Sequence, residues 1–146
     1  MCSSDLWFAP AASVAIVIVL VLVKRRWAAL YFGILSAVSA TLVQVLKALF
    51  GRLRPEDILV NIDSGSFPSG HVTNAATIAV ALGIILWRWW VWLAGAAYVV
   101  LMMLSRTYLG AHWLSDTVGG LLIGAALAVI IWAPFAAKMQ SESVRQ

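Results

Sequence analysis

Five long apolar stretches, separated by short polar connections, dominate this sequence. They cover about residues 7–23, 27–50, 72–87, 91–109 and 118–137. Each approaches the roughly 20 apolar residues that an α-helix needs to cross the hydrocarbon core of a bilayer. The alternating segments typical of transmembrane strands are absent from the sequence. It therefore predicts an all-α, polytopic transmembrane bundle with five spans.

The composition also indicates a membrane protein of one domain. Hydrophobic residues make up 63% of the 146 residues, against about 45–50% apolar residues in soluble domains. After five spans, residues 1–146 leave no room for a second, soluble domain. The single Cys2 cannot form an internal disulfide, and no Cys/His cluster has the spacing of a metal site. We expect no metal, no cofactor and no nucleic-acid partner, and the oligomeric state stays open.

Basic residues predict the orientation of the bundle. By parity the first, third and fifth spans end on the same face, and basic residues follow each of them. Basic connections mark the cytoplasmic side of a membrane, so the opposite ends of the spans should face outward. The basic residues on the predicted cytoplasmic side are Lys24, Arg25, Arg26, Arg88, Lys138 and Arg145.

The first residues fit this orientation poorly. It places the N-terminus outside, yet residues 1–6 carry no secretory signal. Residues 2–6 also match the translation of a common sequencing adapter. We therefore expect residues 1–6 to be non-native and the chain to be truncated, lacking the first of six spans; a genomic sequence with a normal start at Met1 would contradict this. The alternative is a genuine five-span protein.

Cationic side chains gather at the predicted outer end. Lys47, Arg54 and Arg106 lie at the outer ends of different spans, and charged residues near a membrane are costly and usually functional. The planar guanidinium of arginine matches phosphate oxygens, and lysine adds a compact positive charge. The pattern predicts a site for a phosphate or a phosphate ester.

The segment Pro68-Ser69-Gly70 precedes the third span. A serine hydroxyl and the first backbone N–H groups of a helix bind anions, and Gly70 would let an oxyanion approach the backbone closely. The alternative is that these residues merely begin a helix.

The only two histidines, His71 and His112, are candidates for the chemistry. His112 and Asp116 are four residues apart, which on a helix places them on one face. Asp116 could then accept the ring N–H, fix the tautomer and leave the other nitrogen as a nucleophile or base; a simple helix pair or cap is the alternative. One ring could be neutral for attack while the other donates a proton. Nothing in the spacing of the remaining outer charges requires chemistry, so they are interpreted as solvated loop charges or salt bridges: Arg52, Glu56, Asp57 and Asp63.

Three blocks in this order resemble the signature of the type 2 phosphatidic acid phosphatase and vanadium haloperoxidase superfamily. They are Lys47 with Arg54-Pro55, then Pro68-Ser69-Gly70-His71, and then Arg106 with Gly110, His112 and Asp116. The haloperoxidase branch is soluble and much larger, which this composition excludes. The resemblance implies a bundle, usually of six spans, with its active site at the outer face of a bacterial inner membrane.

The resemblance also implies roles for individual residues. His112 would attack phosphorus and form a phosphohistidine, Asp116 would orient it, and His71 would protonate the leaving group. Water would then hydrolyse the intermediate without a metal. The implied substrates are lipid phosphates and diphosphates such as phosphatidic acid or polyprenyl diphosphate. A lipid phosphotransferase with the same intermediate and a catalytically silent lipid-binding protein stay open as alternatives. The residues implied to hold the phosphoryl oxygens are Lys47, Arg54, Ser69, Gly70 and Arg106.

Overall fold

The computed structural model describes residues 5–54 and 65–144, with side chains from 11–54 and 65–142. These ranges contain helices and connections but no strand, which confirms the predicted all-α class. A short 3₁₀ turn, Ala133–Phe135, separates the last two helices. The helices are α1 (Asp5–Leu22), α2 (Arg26–Phe50), α3 (Gly70–Leu86), α4 (Trp89–Tyr108), α5 (Leu114–Trp132) and α6 (Ala136–Val144).

Five of these helices correspond to the predicted spans. In the described part of the chain, three helical stretches are long and apolar enough to cross a membrane: Arg26–Phe50, Trp89–Tyr108 and Leu114–Glu142. Ala11–Leu22 and Gly70–Leu86 are apolar but shorter. Large apolar side chains point outward along the bundle, as a bilayer allows and water does not; Leu101 and Ile130, for example, are 66% and 67% exposed. The chain is an integral membrane protein.

Two of the predicted spans begin too late in the sequence. The third was expected from residue 72 and begins at Gly70, and the fifth was expected from residue 118 and begins at Leu114. The first residues of both helices are polar or small, so an apolar pattern alone misses them. Near the end of the fifth span the α-helix changes to a 3₁₀ turn that contains Pro134. Proline has no N–H to continue the α-helical hydrogen bonding.

Glycines let α5 lie directly against α3. A Cβ atom at Gly120 would stand 2.8 Å from the carbonyl oxygen of Ser69, and one at Gly124 would stand 2.5 Å from that of Thr73. These glycines are four residues apart and so share one face of α5. Their missing side chains allow the two backbones to approach, which places the start of α3 beside the start of α5.

The alternating helices define two ends of the bundle. The site end comprises the last turns of α2 and α4 and the first turns of α3 and α5. At the opposite end α6 packs onto the start of α2. There the N–H of Trp27 donates to the carboxylate of Glu142 at 3.2 Å, and the Lys138 ammonium lies 4.1 Å from the centre of the Trp27 ring.

Candidate active site

A buried carboxylate organises the site end. Asp116 is the third residue of α5 and is fully buried. One oxygen, Oδ2, accepts the N–H of Trp113 at 2.9 Å and the hydroxyl of Ser66. The other, Oδ1, accepts Arg52 Nη1 at 2.7 Å. A buried charge is costly unless it is paired and hydrogen-bonded, and these three donors provide both.

Several hydrogen bonds hold the segment before α3 against the ends of α2 and α5. The N–H of Ser69 donates to the backbone carbonyl of Asp116 at 3.1 Å, and the N–H of Ser66 donates to that of Arg52 at 2.8 Å. Arg54 donates to the carbonyl of Ala111 through Nη1 and to that of Gly65 through Nη2 at 3.4 Å. Residues 51–54, 65–69 and 111–116 therefore form one hydrogen-bonded layer across the ends of the helices.

His112 lies before α5, and its ring does not make the expected hydrogen bond to Asp116. Its Nδ1 atom is 2.7 Å from the carbonyl oxygen of Ser66 and 3.9 Å from Asp116 Oδ2. The expectation was wrong because α5 begins only at Leu114, so the two residues do not share a helix. Asp116 instead turns back to the N–H of Trp113 and caps its own helix.

The Ser66 carbonyl nevertheless fixes the tautomer of His112. A carbonyl oxygen can only accept a hydrogen bond, so Nδ1 carries the hydrogen and Nε2 has the lone pair. Burial, together with the positive charges of Arg54 and Lys47, lowers the pKa of His112 to about 4. The hydrogen bond to Ser66 and the charge of Asp116 act in the opposite direction. At neutral pH the ring is therefore uncharged, with Nε2 in the nucleophilic form.

Two buried donors at the site end have no hydrogen-bond partner within the described residues. They are the Ser69 hydroxyl, in a fully buried residue, and the Nε atom of Arg106, in the last turn of α4. Ser69 is the N-cap residue of α3, yet its side chain makes no capping hydrogen bond. The alternative that Pro68-Ser69-Gly70 merely begins a helix leaves this hydroxyl unexplained. An unsatisfied buried donor costs about 1–3 kcal/mol, which an anionic acceptor would recover.

Packing does not explain why residue 70 is a glycine. A Cβ atom at Gly70 would make only an ordinary contact, at 3.4 Å, with a methyl group of Val43. The helix could therefore accept a larger residue there, and the close approach of an anion to the backbone stays the reason we predict for glycine.

The contacts link most, but not all, of the predicted site residues. Lys47, Arg54, Ser69, His112 and Asp116 are connected through the hydrogen bonds or charges given above. Gly70 and His71 directly follow Ser69 in the first turn of α3, where His71 is partly exposed. No hydrogen bond or ion pair in the described part of the chain joins Arg106 to the others.

Sequence reasoning missed two contributors. Ser66 was not singled out, although it contacts both His112 and Asp116, which lie 46 and 50 residues away. Arg52 was interpreted as a loop charge or a salt bridge, and the second interpretation holds, with Asp116 as its partner. A hydroxyl directly before the Phe67-Pro68-Ser69 segment was the only sequence signal for Ser66. Glu56, Asp57 and Asp63 lie outside the described residues.

Comparison with known proteins decides the family. A model of the PAP2 superfamily matches residues 27–140, which include both histidines and every predicted site residue. The chain belongs to the PAP2 superfamily. The resemblance inferred from three short blocks of sequence is thereby confirmed.

Relatives of this PAP2 chain include a phosphatidylglycerophosphatase and an undecaprenyl-diphosphatase. It is 30% identical over 118 residues to phosphatidylglycerophosphatase B of Bacillus subtilis, with 74% of this chain and 58% of that protein covered. It is 28% identical over 120 residues to an undecaprenyl-diphosphatase of Sulfolobus acidocaldarius, covering 77% and 58%. The chain thus spans less than two thirds of the length of these relatives.

A crystal structure supports the fold of the PAP2 chain. The transmembrane PAP2-type phosphatidylglycerolphosphate phosphatase from Bacillus subtilis superposes with a TM-score of 0.78 at 29% sequence identity. The superposition covers 94% of this chain and 71% of that one.

Proposed function

We propose that this PAP2 protein hydrolyses a lipid phosphate or diphosphate through a phosphohistidine at His112, without a metal. The observation that carries the proposal is the state of the His112 ring. It is buried, uncharged at neutral pH and hydrogen-bonded through Nδ1 to Ser66, so that Nε2 has the lone pair. The buried hydroxyl of Ser69 and the charges of Lys47 and Arg54 supply an anion site near it.

The reaction follows from these positions. Nε2 of His112 attacks phosphorus, and the bond from phosphorus to the leaving oxygen breaks. Nδ1 keeps its hydrogen throughout and donates it in a hydrogen bond to the Ser66 carbonyl. His71 gives a proton to that oxygen. Asp116, 3.9 Å from the ring, stabilises the positive charge that forms on His112. Water then attacks the phosphohistidine and gives a proton to His71, the bond between Nε2 and phosphorus breaks, and phosphate leaves with the His112 ring neutral and His71 protonated again.

The transferred phosphoryl group needs donors and positive charge around it. We assign this role to Lys47, Arg54, Arg106, the Ser69 hydroxyl and the backbone N–H groups at the start of α3, including that of Gly70. In the described ranges no group of three or more His, Cys, Asp or Glu residues could hold a metal ion. In this proposal the cationic side chains stabilise the charge that develops on the phosphoryl group.

We further propose that the site end faces outward from a bacterial inner membrane. The opposite end carries the connections with Lys24, Arg25 and Arg26 and with Arg88, and the helix with Lys138. Short basic connections stay in the cytoplasm during membrane insertion.

The test is phosphate release from purified protein in detergent with a chelator present. The panel contains phosphatidic acid together with phosphatidylglycerophosphate and undecaprenyl diphosphate, the last two following the names of relatives. We expect chelator-resistant release by the wild type, none by His112→Ala, and full release by Ser141→Ala, a control whose hydroxyl lies on α6. No release by well-folded wild type would overturn the proposal. Transfer of the phosphoryl group to an added lipid alcohol in preference to water would indicate a phosphotransferase.

The two histidines can be told apart by the leaving group. Phosphatidic acid leaves a basic alkoxide, which needs a proton, whereas undecaprenyl diphosphate leaves a phosphate, which needs it much less. We expect His71→Ala to lose about 10²-fold in kcat on phosphatidic acid and clearly less on the diphosphate. His112→Ala should lose both activities, and equal losses from His71→Ala on the two substrates would contradict its role as the acid.

A further inference from the structure

An apolar groove runs along the side of the bundle between α3 and α4, with α5 behind it. Its cavity volume is about 240 Å³, and every lining side chain is apolar. Val100, on its rim, is 52% exposed, so the groove opens sideways, toward the lipid that surrounds a transmembrane bundle. The lining includes Ala76, Ala79, Trp92, Ala96, Val100 and Met103.

The groove leads to the phosphate site. On α4 its lining follows one face through Trp92, Ala96, Val99 and Met103, and the next residue on that face is Arg106. Met103 and Arg106 are separated by three residues, which is about 4.5 Å along a helix. Arg106 therefore lies where the groove reaches the site end of the bundle. Its buried Nε atom has no hydrogen-bond partner among the described residues.

The same continuity holds on α3. Its lining begins at Ala76, and steps of three and four residues back along the helix lead through Thr73 to Ser69. Ser69 carries the second buried donor without a partner within the described ranges. Two of the helices that form the walls of the groove thus carry, at the site end, a buried donor without a partner among the described residues.

The size of the groove limits what can occupy it. One turn of an α-helix, about 10 Å wide and 5.4 Å long, fills roughly 400 Å³, so a cavity of about 240 Å³ admits single side chains or a narrow chain but not a whole helix turn. A methylene group is similar in size to a water molecule, whose share of the liquid is about 30 Å³, so the cavity holds roughly eight methylene groups.

We propose that this groove binds one hydrocarbon chain of the lipid phosphate while its phosphoryl group lies at Ser69 and Arg106. The inference rests on the proposed function and adds the site for the lipid chain. A single chain fits the volume, and the apolar lining matches it along its length. The second chain of a two-chain lipid stays in the bilayer.

A kinetic test uses a substitution that fills the groove. Ala96→Phe places a ring in it, whereas Ala97→Phe places the same ring on an exposed position outside the lining. Residue 96 lies ten residues from Arg106, about 15 Å along α4, so a six-carbon chain should not depend on it as a sixteen-carbon chain does. We expect Ala96→Phe to lower the ratio of kcat/KM for dihexadecanoyl over dihexanoyl phosphatidic acid by about tenfold, and Ala97→Phe to leave it unchanged. The same ratio in both variants would overturn the proposal.

Photocrosslinking tests the groove without turnover. Phosphatidic acid with a diazirine in the middle of one chain is added to His112→Ala protein, and the labelled peptide is identified by mass spectrometry. We expect label between residues 92 and 103 that unlabelled phosphatidic acid displaces and phosphatidylcholine does not. Label displaced equally by both lipids, or label elsewhere, would reject the groove. Absence of hydrolysis by the wild type would instead count against the proposed function, since this labelling requires binding alone.

Discussion

At the scale of single residues, a backbone carbonyl decides which nitrogen of His112 can react. Ser66 accepts the Nδ1 hydrogen at 2.7 Å, and a carbonyl cannot rotate away or change its protonation state as a side chain can. The ring is held in one tautomer whether or not Asp116 is charged. Asp116 supports this arrangement indirectly, because it accepts the Ser66 hydroxyl and so holds the residue that holds the ring.

The protonation of His112 can be measured directly because the chain has only two histidines. In ¹⁵N-histidine-labelled protein we expect His112 to titrate with a pKa of about 4 and to carry its hydrogen on Nδ1 at neutral pH. His71→Gln assigns the signals. A midpoint near the ordinary value of about 6.5, or hydrogen on Nε2, would contradict the structure.

This lowered pKa also fixes the sign of a pH effect on stability. Between about pH 6.5 and the folded-state pKa of about 4, the unfolded chain binds more protons at this residue than the folded chain. The contribution of His112 therefore lowers the stability of the fold as the pH falls through this window, and it has no such effect above it.

A separate variant tests the role of the Ser66 hydroxyl. Ser66→Ala keeps the carbonyl but removes a donor from the buried carboxylate of Asp116. We expect kcat to fall about tenfold, since a lost bond to a charged group is worth about 1.5–3 kcal/mol, with a smaller change in KM. Ser66→Thr should restore most of the rate. If Ser66→Ala raised KM alone, the serine would act in binding the substrate and not in positioning His112.

The sequence predicted candidate site residues but not the contacts among them. Local patterns predicted Lys47, Arg54, Ser69, His112 and Asp116, because charge and rare residues at span ends are visible in one dimension. The bond between Ser66 and His112 is not visible, since it joins two loops 46 residues apart. A pattern of four residues suggested a helical pair for His112 and Asp116, and only the observed start of α5 shows that His112 lies outside the helix.

At the scale of elements, the packing of α5 on α3 sets the geometry of the site. Gly120 and Gly124 face Ser69 and Thr73 so closely that a Cβ atom would meet backbone oxygen at 2.8 and 2.5 Å. The approximate positions of the helices were predictable from apolar runs, whereas this close approach was not, because many glycines and alanines share these spans. The position of Ser69 relative to Asp116 thus depends on residues without side chains.

A substitution at this interface should act on stability and activity together. Gly124→Ala forces α3 and α5 apart, and we expect an overpacking cost of about 1–3 kcal/mol, seen as a lower melting temperature in detergent and reduced phosphate release. Gly33→Ala is the matched control, because its Cβ would meet only a methyl group of Val17 at 3.9 Å. Equal melting temperatures for the two variants would contradict the observed packing.

At the scale of the whole molecule, the two ends of the bundle differ in chemistry. The site end carries the hydrogen-bonded layer around Asp116, while the opposite end carries basic connections and the contacts of α6 with Trp27. Orientation in the membrane determines which compartment each end meets. Charge counting predicts it, and labelling can test it.

Accessibility in intact spheroplasts provides that test. In a Cys2→Ser background, Ser115→Cys places a thiol at the exposed start of α5, and Ser141→Cys places one at an exposed position of α6. We expect a membrane-impermeant maleimide to label residue 115 in intact spheroplasts and residue 141 only after lysis. The reverse pattern would place the site in the cytoplasm.

The contact between α6 and α2 has a consequence for how the protein is made. The backbone N–H of Trp27 meets a carboxylate located 115 residues later in the chain. During synthesis α2 is made long before Glu142. The N–H of Trp27 therefore lacks this hydrogen-bond partner until Glu142 has been added to the chain. The end of the bundle opposite the site therefore gains this contact only after residue 142 has been synthesised.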